Sequence, residues 1–425
     1  MPISARPAVR DPSAPTRRAA YGALAALTAI NLLNYLDRYL VPPLATDLAR
    51  AMQLSDAQLG WLQTAFILVY LIAAPLFGSW GDRGSRTRPI ALGIGLWSLA
   101  TALSGLAQSY PQLLFTRALV GIGEASVVAI APALLADLFA PAARARVFAV
   151  LSMAIPVGAA LGYLVGGAVG PHYGWRAAFF VAGIPGFALA VGSLWLPDPP
   201  RGIQDGLPAR PAAGGQGSAL GLYLGLLKRT RFMLIVLGYA AYTFALGGLA
   251  FWMPAFLERV HGVPRGTAAT GFGVIVLCTG TVGTVAGGWL ADYFLRYSRQ
   301  AYLWFAAVVT LLAVPLSVVA LTAGAKGLYL PAIVAAQLLL FTSTGPVNAA
   351  IINIVSPLER ASATALTMVL IHLLGDVPSP ALIGYVSDLS SLRHAVLIVP
   401  VALIAGGLIW AAAALVMARA ARSAA

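Results

Sequence analysis

From Tyr21 to Asn34 the chain runs without a charged residue, and then Asp37 and Arg38 arrive side by side in the string NYLDRY, 34–39. Long apolar runs of this kind recur to the C-terminus. A helix needs about 20 apolar residues to cross the hydrocarbon of a bilayer. Twelve runs qualify: 20–43, 57–80, 89–107, 111–138, 145–169, 175–196, 231–256, 267–290, 301–323, 328–355, 361–386 and 394–418. They are too long and too continuously apolar for the alternation of barrel strands. The pattern predicts an all-α membrane protein with twelve transmembrane helices.

The longest polar gap, 197–230, is rich in Pro and Gly and divides the runs six and six. It reads as a cytoplasmic linker between an N-terminal six-helix bundle (20–196) and a C-terminal one (231–418), with tails at 1–19 and 419–425. Within it, 219–229 reads as a short amphipathic helix on the membrane surface. The halves echo each other. Gly78-Ser-Trp-Gly-Asp82 recurs as Gly288-Trp-Leu-Ala-Asp292, and Pro43 and Gly60 match Pro254 and Gly271. Pro141 with Arg144 recurs as Pro357 with Arg360. Two similar six-helix halves are the mark of a transporter built from parallel repeats.

Composition agrees: 60% of residues are hydrophobic, 10% are charged, and mean hydropathy is +0.84. A soluble domain carries about 25% charged residues. The net charge of +13 does not point to nucleic acid, because the cations lie between apolar runs. Of 27 Lys and Arg, nineteen fall in the tails and the loops on the terminal side. Six fall opposite: Arg50, Arg176, Arg259, Arg265, Lys326 and Arg393. The positive-inside rule then places both termini in the cytoplasm, and the chain in the cell (inner) membrane. The N-terminus lacks a short apolar stretch with a cleavage site and reads as a cytoplasmic tail. Cys278 is alone and forms no internal disulfide. No G-x-x-x-x-G-K-[ST] string occurs, which argues against a nucleotide-driven pump. No metal-ligand set and no nucleophile–base set is visible, so neither a cofactor nor an enzyme is expected.

GSWGDRGSR (78–86) resembles the loop signature of the major facilitator superfamily, with Ser85 where that family usually has Gly. Arg117-x-x-x-Gly121-x-Gly123 and GWRAAFF (174–180) resemble two more of its motifs. A narrower resemblance, to the Spinster family, rests on four strings. They are NYLDRY, GIGEA (121–125), YTFALGGLAFWMPAFLER (242–259) and HLLGDVPSPALIGYVSD (372–388). The resemblance implies a monomeric secondary transporter of the major facilitator fold. Its implied substrate is an amphipathic lipid, such as a lysophospholipid or a sphingolipid-like anion.

Asp37 and Arg38 on helix 1 and Arg117 and Glu124 on helix 4 are four ionisable groups clustered in the N-terminal half. Each costs about 2.5–3.5 kcal/mol or more at the bilayer centre if it faces lipid alone, so they are expected to pair and face a cavity. At 1.5 Å per residue, Asp37 lies about 25 Å along helix 1, near the depth of Arg117. NYLDRY therefore reads as a buried site rather than a helix end. Pro42-Pro43 leave the other reading, a segment stopping near Tyr39.

Asp37 and Glu124 are the proton-coupling candidates, with Glu124 preferred because it lies deeper and follows two glycines. The alternative is a static pair joining helices 1 and 4. Arg117, Arg38 and Asn34 are candidates for an anionic head group, Arg117 for its always-charged fork of donors. His372 and Asp376 share a face of helix 11, as a site or as a local hydrogen bond. The prolines after them, Pro378 and Pro380, are expected to bend that helix. Asn348 stands among neutral polar residues around a Gly-Pro kink in helix 10. Tyr242 and Trp252 belong to an aromatic stretch of helix 7, as acyl-chain contacts or as packing. Asp82, with Arg83 and Arg86, is expected to latch the outward-facing state by accepting from the N–H groups that open helix 11.

The leading function is proton-coupled export of an amphipathic lipid or organic anion by alternating access. A drug or small organic-acid exporter of the same fold is the runner-up. A passive scramblase or a membrane-embedded enzyme stands for the other classes. Single cysteines placed at Ser13 and Gly262 in a Cys278→Ala background test the orientation in intact cells. Gly262→Cys should react with an impermeant maleimide and Ser13→Cys should not; the reverse inverts the topology.

Overall fold

The structure, a computed structural model of the chain, describes residues 16–205, 219–298, 300–356 and 359–423. Among them are twelve helices long and apolar enough to cross a membrane. In chain order these are α1 (Arg17–Met52), α2 (Asp56–Arg83), α3 (Thr87–Leu106), α4 (Tyr110–Leu138), α5 (Pro141–Tyr173) and α6 (Trp175–Ser193). The second half holds α7 (Thr230–Arg259), α8 (Arg265–Phe294), α9 (Ala301–Thr322), α10 (Lys326–Asn353), α11 (Ser362–Leu389) and α12 (Leu392–Arg419). No strand occurs among the described residues. The linker contributes a helix at Ala219–Leu227; residues 1–15 of the expected tail and 206–218 of the expected linker lie outside the described residues.

Two spans are broken where proline dictates it. The first piece of α1 ends at Arg38, and Val41–Met52 resumes with Pro42 and Pro43 in its first turn. Proline cannot donate to the helical ladder and disfavours helix in the residue before it, yet suits a first turn. The chain therefore unwinds at Tyr39 and Leu40 and restarts. NYLDRY is thus a helix end as well as a buried site, which corrects the expectation that it was only the latter. In α11 the break precedes Pro378: His372–Asp376 form one π turn, closed by Val377 N–H donating to the His372 carbonyl at 3.0 Å. A wide turn absorbs the ladder bonds that prolines remove, and such turns recur at functional sites.

The halves are fused at the end away from the termini. There Leu44 and Leu62 of the first half share one apolar core with Trp252, Phe272 and Ile383 of the second. On the terminal side, Leu27, Ile130 and Leu134 pack in a core drawn almost wholly from the first half. The Asp388 carboxylate, from the far end of α11, accepts from Asp56 N–H at 2.8 Å and Ala57 N–H at 2.9 Å, capping α2 across the interface. Asp56 in turn pairs with Arg259 at 2.6 Å, and Asp47 pairs with Arg265. Backbones touch: a Cβ on Gly60 would sit 2.3 Å from the Pro380 carbonyl oxygen, and one on Gly384 2.2 Å from that of Asp56.

This seal yields a direct test. Gly384→Leu cannot fit against Asp56 without separating α2 from α11. Spin-label distances between the far ends of these helices should lengthen by several ångströms in the variant. An unchanged distribution contradicts the seal.

Candidate functional site

The four intramembrane charges pair crosswise. Asp37 is 1% exposed, accepts from Arg117 at 3.1 Å and is also bonded by the Thr101 hydroxyl. Arg38 instead donates to Glu124 at 3.3 Å. Adjacent residues on a helix do not face each other, so Asp37 turns into the first bundle while Arg38 turns toward α2. The pairs that join helices 1 and 4 are thus Asp37–Arg117 and Arg38–Glu124, and Asp37 does not pair with Arg38. Phe66, fully buried, lies under both guanidinium groups, 5.1 Å from Arg38 and 5.5 Å from Arg117. Tyr70 and Tyr35 complete the aromatic surround of Arg38, at 4.8 and 5.0 Å. Such faces hold a desolvated cation with about 2 kcal/mol or more apiece.

Glycines allow α4 to deliver its charges here. A Cβ on Gly121 would meet the Phe66 carbonyl oxygen at 2.4 Å, and one on Gly123 the Gly93 carbonyl oxygen at 2.5 Å. The network is only half satisfied. Among the described residues Glu124 Oε1, Arg38 Nε, Arg117 Nε and both polar atoms of Asn34 are buried without partners. Unpaired buried donors and acceptors are costly.

One charge of the four reaches open space. Arg38 lines a cavity between the halves with an empty volume of about 800 Å³, along with Tyr70, Gln63 and Phe251. His372 and Asp376 line it from the second half, where the Asp376 carboxylate lies 2.8 Å from His372 Nδ1. A second lobe of about 640 Å³ shares Tyr39, Gly247, Ala250 and Asp376 with the first. Its wall is mainly apolar, including Leu246, Phe272, Val276 and Phe341. The cavity is thus charged at one end and apolar at the other.

Several expected contacts lie elsewhere. Asn34 and Arg117 are fully buried behind the cavity. On α7 the cavity stripe is Thr243, Leu246, Gly247, Ala250 and Phe251, the spacing of one helical face. Tyr242 and Trp252 fall off that face and serve as struts, bonded to the Leu340 carbonyl at 2.6 Å and the Pro380 carbonyl at 3.0 Å. Asn348 is bonded to the Thr344 carbonyl at 3.0 Å and to Tyr239 at 3.4 Å, and lines neither lobe. At the end of α2, Asp82 and Arg83 are exposed, and Pro357 and Leu358 before α11 lie outside the described residues. Arg86 is buried and tied to Asp137 at 2.5 Å and Asp198 at 2.7 Å, so it anchors the chain leaving α6 and does not face α11. Gln63, Tyr70 and Gln337 escaped the sequence reading. Gln337 carried a signal, as the one hydrogen-bonding side chain between Tyr329 and Thr342.

The family model of the Major Facilitator Superfamily matches residues 27–375. The chain belongs to the major facilitator superfamily. Within it the chain is a Spinster relative. It is 33% identical over 371 residues to protein spinster of Drosophila melanogaster, covering 84% of this chain and 60% of that one. It is 33% identical over 433 residues to the sphingosine-1-phosphate transporter SPNS2 of Xenopus tropicalis, covering 94% of this chain and 82% of that one. The fold matches a bacterial homologue of the human lysosomal transporter spinster, crystallised in an inward-facing and unoccupied conformation. The TM-score is 0.84 at 24% identity, over 94% of this chain and 98% of that one. The chain is therefore a transporter and an integral membrane protein, not an enzyme.

The crossed pairing is checked by stability. Arg117→Leu leaves Asp37 buried and unpaired, which should cost about 3–5 kcal/mol. The double variant Asp37→Asn with Arg117→Leu should recover most of that in chemical unfolding of the detergent-solubilised protein. Equal losses in single and double variants contradict the pairing.

Proposed function

We propose that the chain exports an amphipathic lipid or organic anion by proton-coupled alternating access, in the cell membrane with both termini cytoplasmic. The observation that carries this is the bilobed cavity with Arg38 at its polar end, paired with Glu124. An anionic head group competes with Glu124 for Arg38. When Glu124 is protonated, Arg38 is free for the anion; when Glu124 is ionised, it reclaims Arg38. Proton and anion therefore bind together. Export runs down the lipid's own gradient, and acid outside opposes it. The kinship with a protein named as a sphingosine-1-phosphate transporter supports a single-chain lipid anion. Of the head-group candidates Arg117, Arg38 and Asn34, the complete burial of Arg117 and Asn34 favours Arg38, with Arg117 holding Asp37.

Asp37 is the second coupling carboxylate: protonated, it would release Arg117, whose guanidinium lies over Phe66 beside that of Arg38. Asp82 belongs to the opposite state. Its proposed latch on α11 closes when the far end parts.

Proteoliposomes test the coupling. An inward pH gradient, acid outside, should drive accumulation of a labelled lysophosphatidic acid. Glu124→Gln should abolish the response to the gradient, by tenfold or more, while retaining exchange of lipid for lipid. Asp37→Asn should reduce the response less. Gradient-driven accumulation at the wild-type level in both variants removes the coupling role from these residues.

A further inference from the structure

The apolar lobe contains polar groups that the protein does not use. Gln337, only 5% exposed, stands in its wall beside Thr243 and Tyr39. Among the described residues no hydrogen bond engages the Gln337 amide, the Thr243 hydroxyl or the Tyr39 hydroxyl. Tyr163 in the same wall is satisfied, donating to the Ala250 carbonyl at 2.6 Å. Gln337 also borders a smaller pocket lined by Leu249, Met253 and Leu340. There Ser317 is 3% exposed and its hydroxyl has no partner. Unpartnered side chains thus mark both sides of Gln337.

A plain hydrocarbon tail is a poor occupant for such a wall. It would strip water from the amide and the hydroxyl and return no hydrogen bond, and polar groups left unpaired in a dry site are costly. A chain carrying a neutral hydroxyl, amide or ester oxygen at this depth removes that cost. Sites built around a hydrogen bond discriminate against an analogue lacking the group far more than an apolar pocket discriminates against a missing methylene.

We infer that Gln337, with Thr243, forms a specificity subsite for a neutral hydrogen-bonding group carried within the apolar part of the substrate, remote from the anionic end at Arg38. The substrate class is an amphipath with two polar points, an anionic head and an internal hydroxyl or amide. This rests on the reading of the cavity as an amphipath site under Proposed function. The carboxamide suits the task because it both donates and accepts, so it takes a hydroxyl in either sense.

Three probes of equal charge and chain length isolate the effect: octadecanoate, 10-hydroxyoctadecanoate and 12-hydroxyoctadecanoate. Binding to the full chain in detergent is measured by titration calorimetry. At least one hydroxylated probe should bind about fivefold or more tighter than octadecanoate. Gln337→Leu should erase that preference while octadecanoate binds as well as to the wild type or better. Thr243→Val should weaken the preference, and Gln337→Asn should lower it without losing octadecanoate.

Equal affinities for all three probes, with Arg38→Gln weakening each, would overturn the subsite and leave the amphipath reading standing. A hydroxyl preference that survives Gln337→Leu would assign the amide to water alone and also overturn it. Absence of binding by every probe, or binding indifferent to Arg38→Gln, would overturn the amphipath reading and the subsite with it.

Discussion

A carboxylate cannot stay charged in the middle of a membrane protein without a partner, and here two carboxylates must share two guanidinium groups. The idealised cost of burying such ions is of order 20 kcal/mol each before pairing. That constraint explains the local architecture. Helix 1 stops at Arg38, so the last turn of its first piece can send Asp37 one way and Arg38 the other. Helix 4 carries glycines at 121 and 123, so its Arg117 and Glu124 come within reach. Phe66 fills the space between the cations, where water would otherwise screen the pairs. Thr101 supplies a neutral bond that keeps Asp37 in place.

The pairs differ in what they can do. Asp37 and Arg117 are sealed inside the first bundle and act through their geometry. Arg38 borders the cavity and is the member that, in the proposed cycle, a ligand takes from its partner. On the far wall His372 and Asp376 occupy a π turn that exists because prolines follow. The seal of Asp388 on helix 2 closes the same cavity from the far end. Arg38 and the π turn of helix 11 therefore line one volume, and in the proposed cycle the proton on Glu124 acts on that volume through Arg38.

The spans and the two-half layout were legible because hydrocarbon thickness fixes helix length, and nothing in a water-soluble core imitates that signal over twelve runs. The four charges were legible as a cluster for a similar reason: burial makes each one expensive. Their partners were not. The string Asp37-Arg38 suggests a pair, but consecutive helical residues splay by about 100°, and only the third dimension decides which helix each meets. The aromatic stretch of helix 7 left a similar choice open, between tail contacts and packing. Tyr242 and Trp252 look like a tail-binding wall in one dimension, while the cavity follows Thr243, Leu246, Ala250 and Phe251. Gln337 was visible as a lone amide in an apolar run, yet its place between two pockets was not.

The central claim is that an anion takes Arg38 from Glu124 and that Glu124 then holds a proton. Adding a single-chain lysophosphatidic acid to the detergent-solubilised protein in weakly buffered solution, with a pH indicator dye, measures this directly. The account predicts uptake of about one proton per protein as the lipid binds, lost in Glu124→Gln although that variant still binds the lipid. Binding without proton uptake, or uptake undiminished in Glu124→Gln, would contradict it.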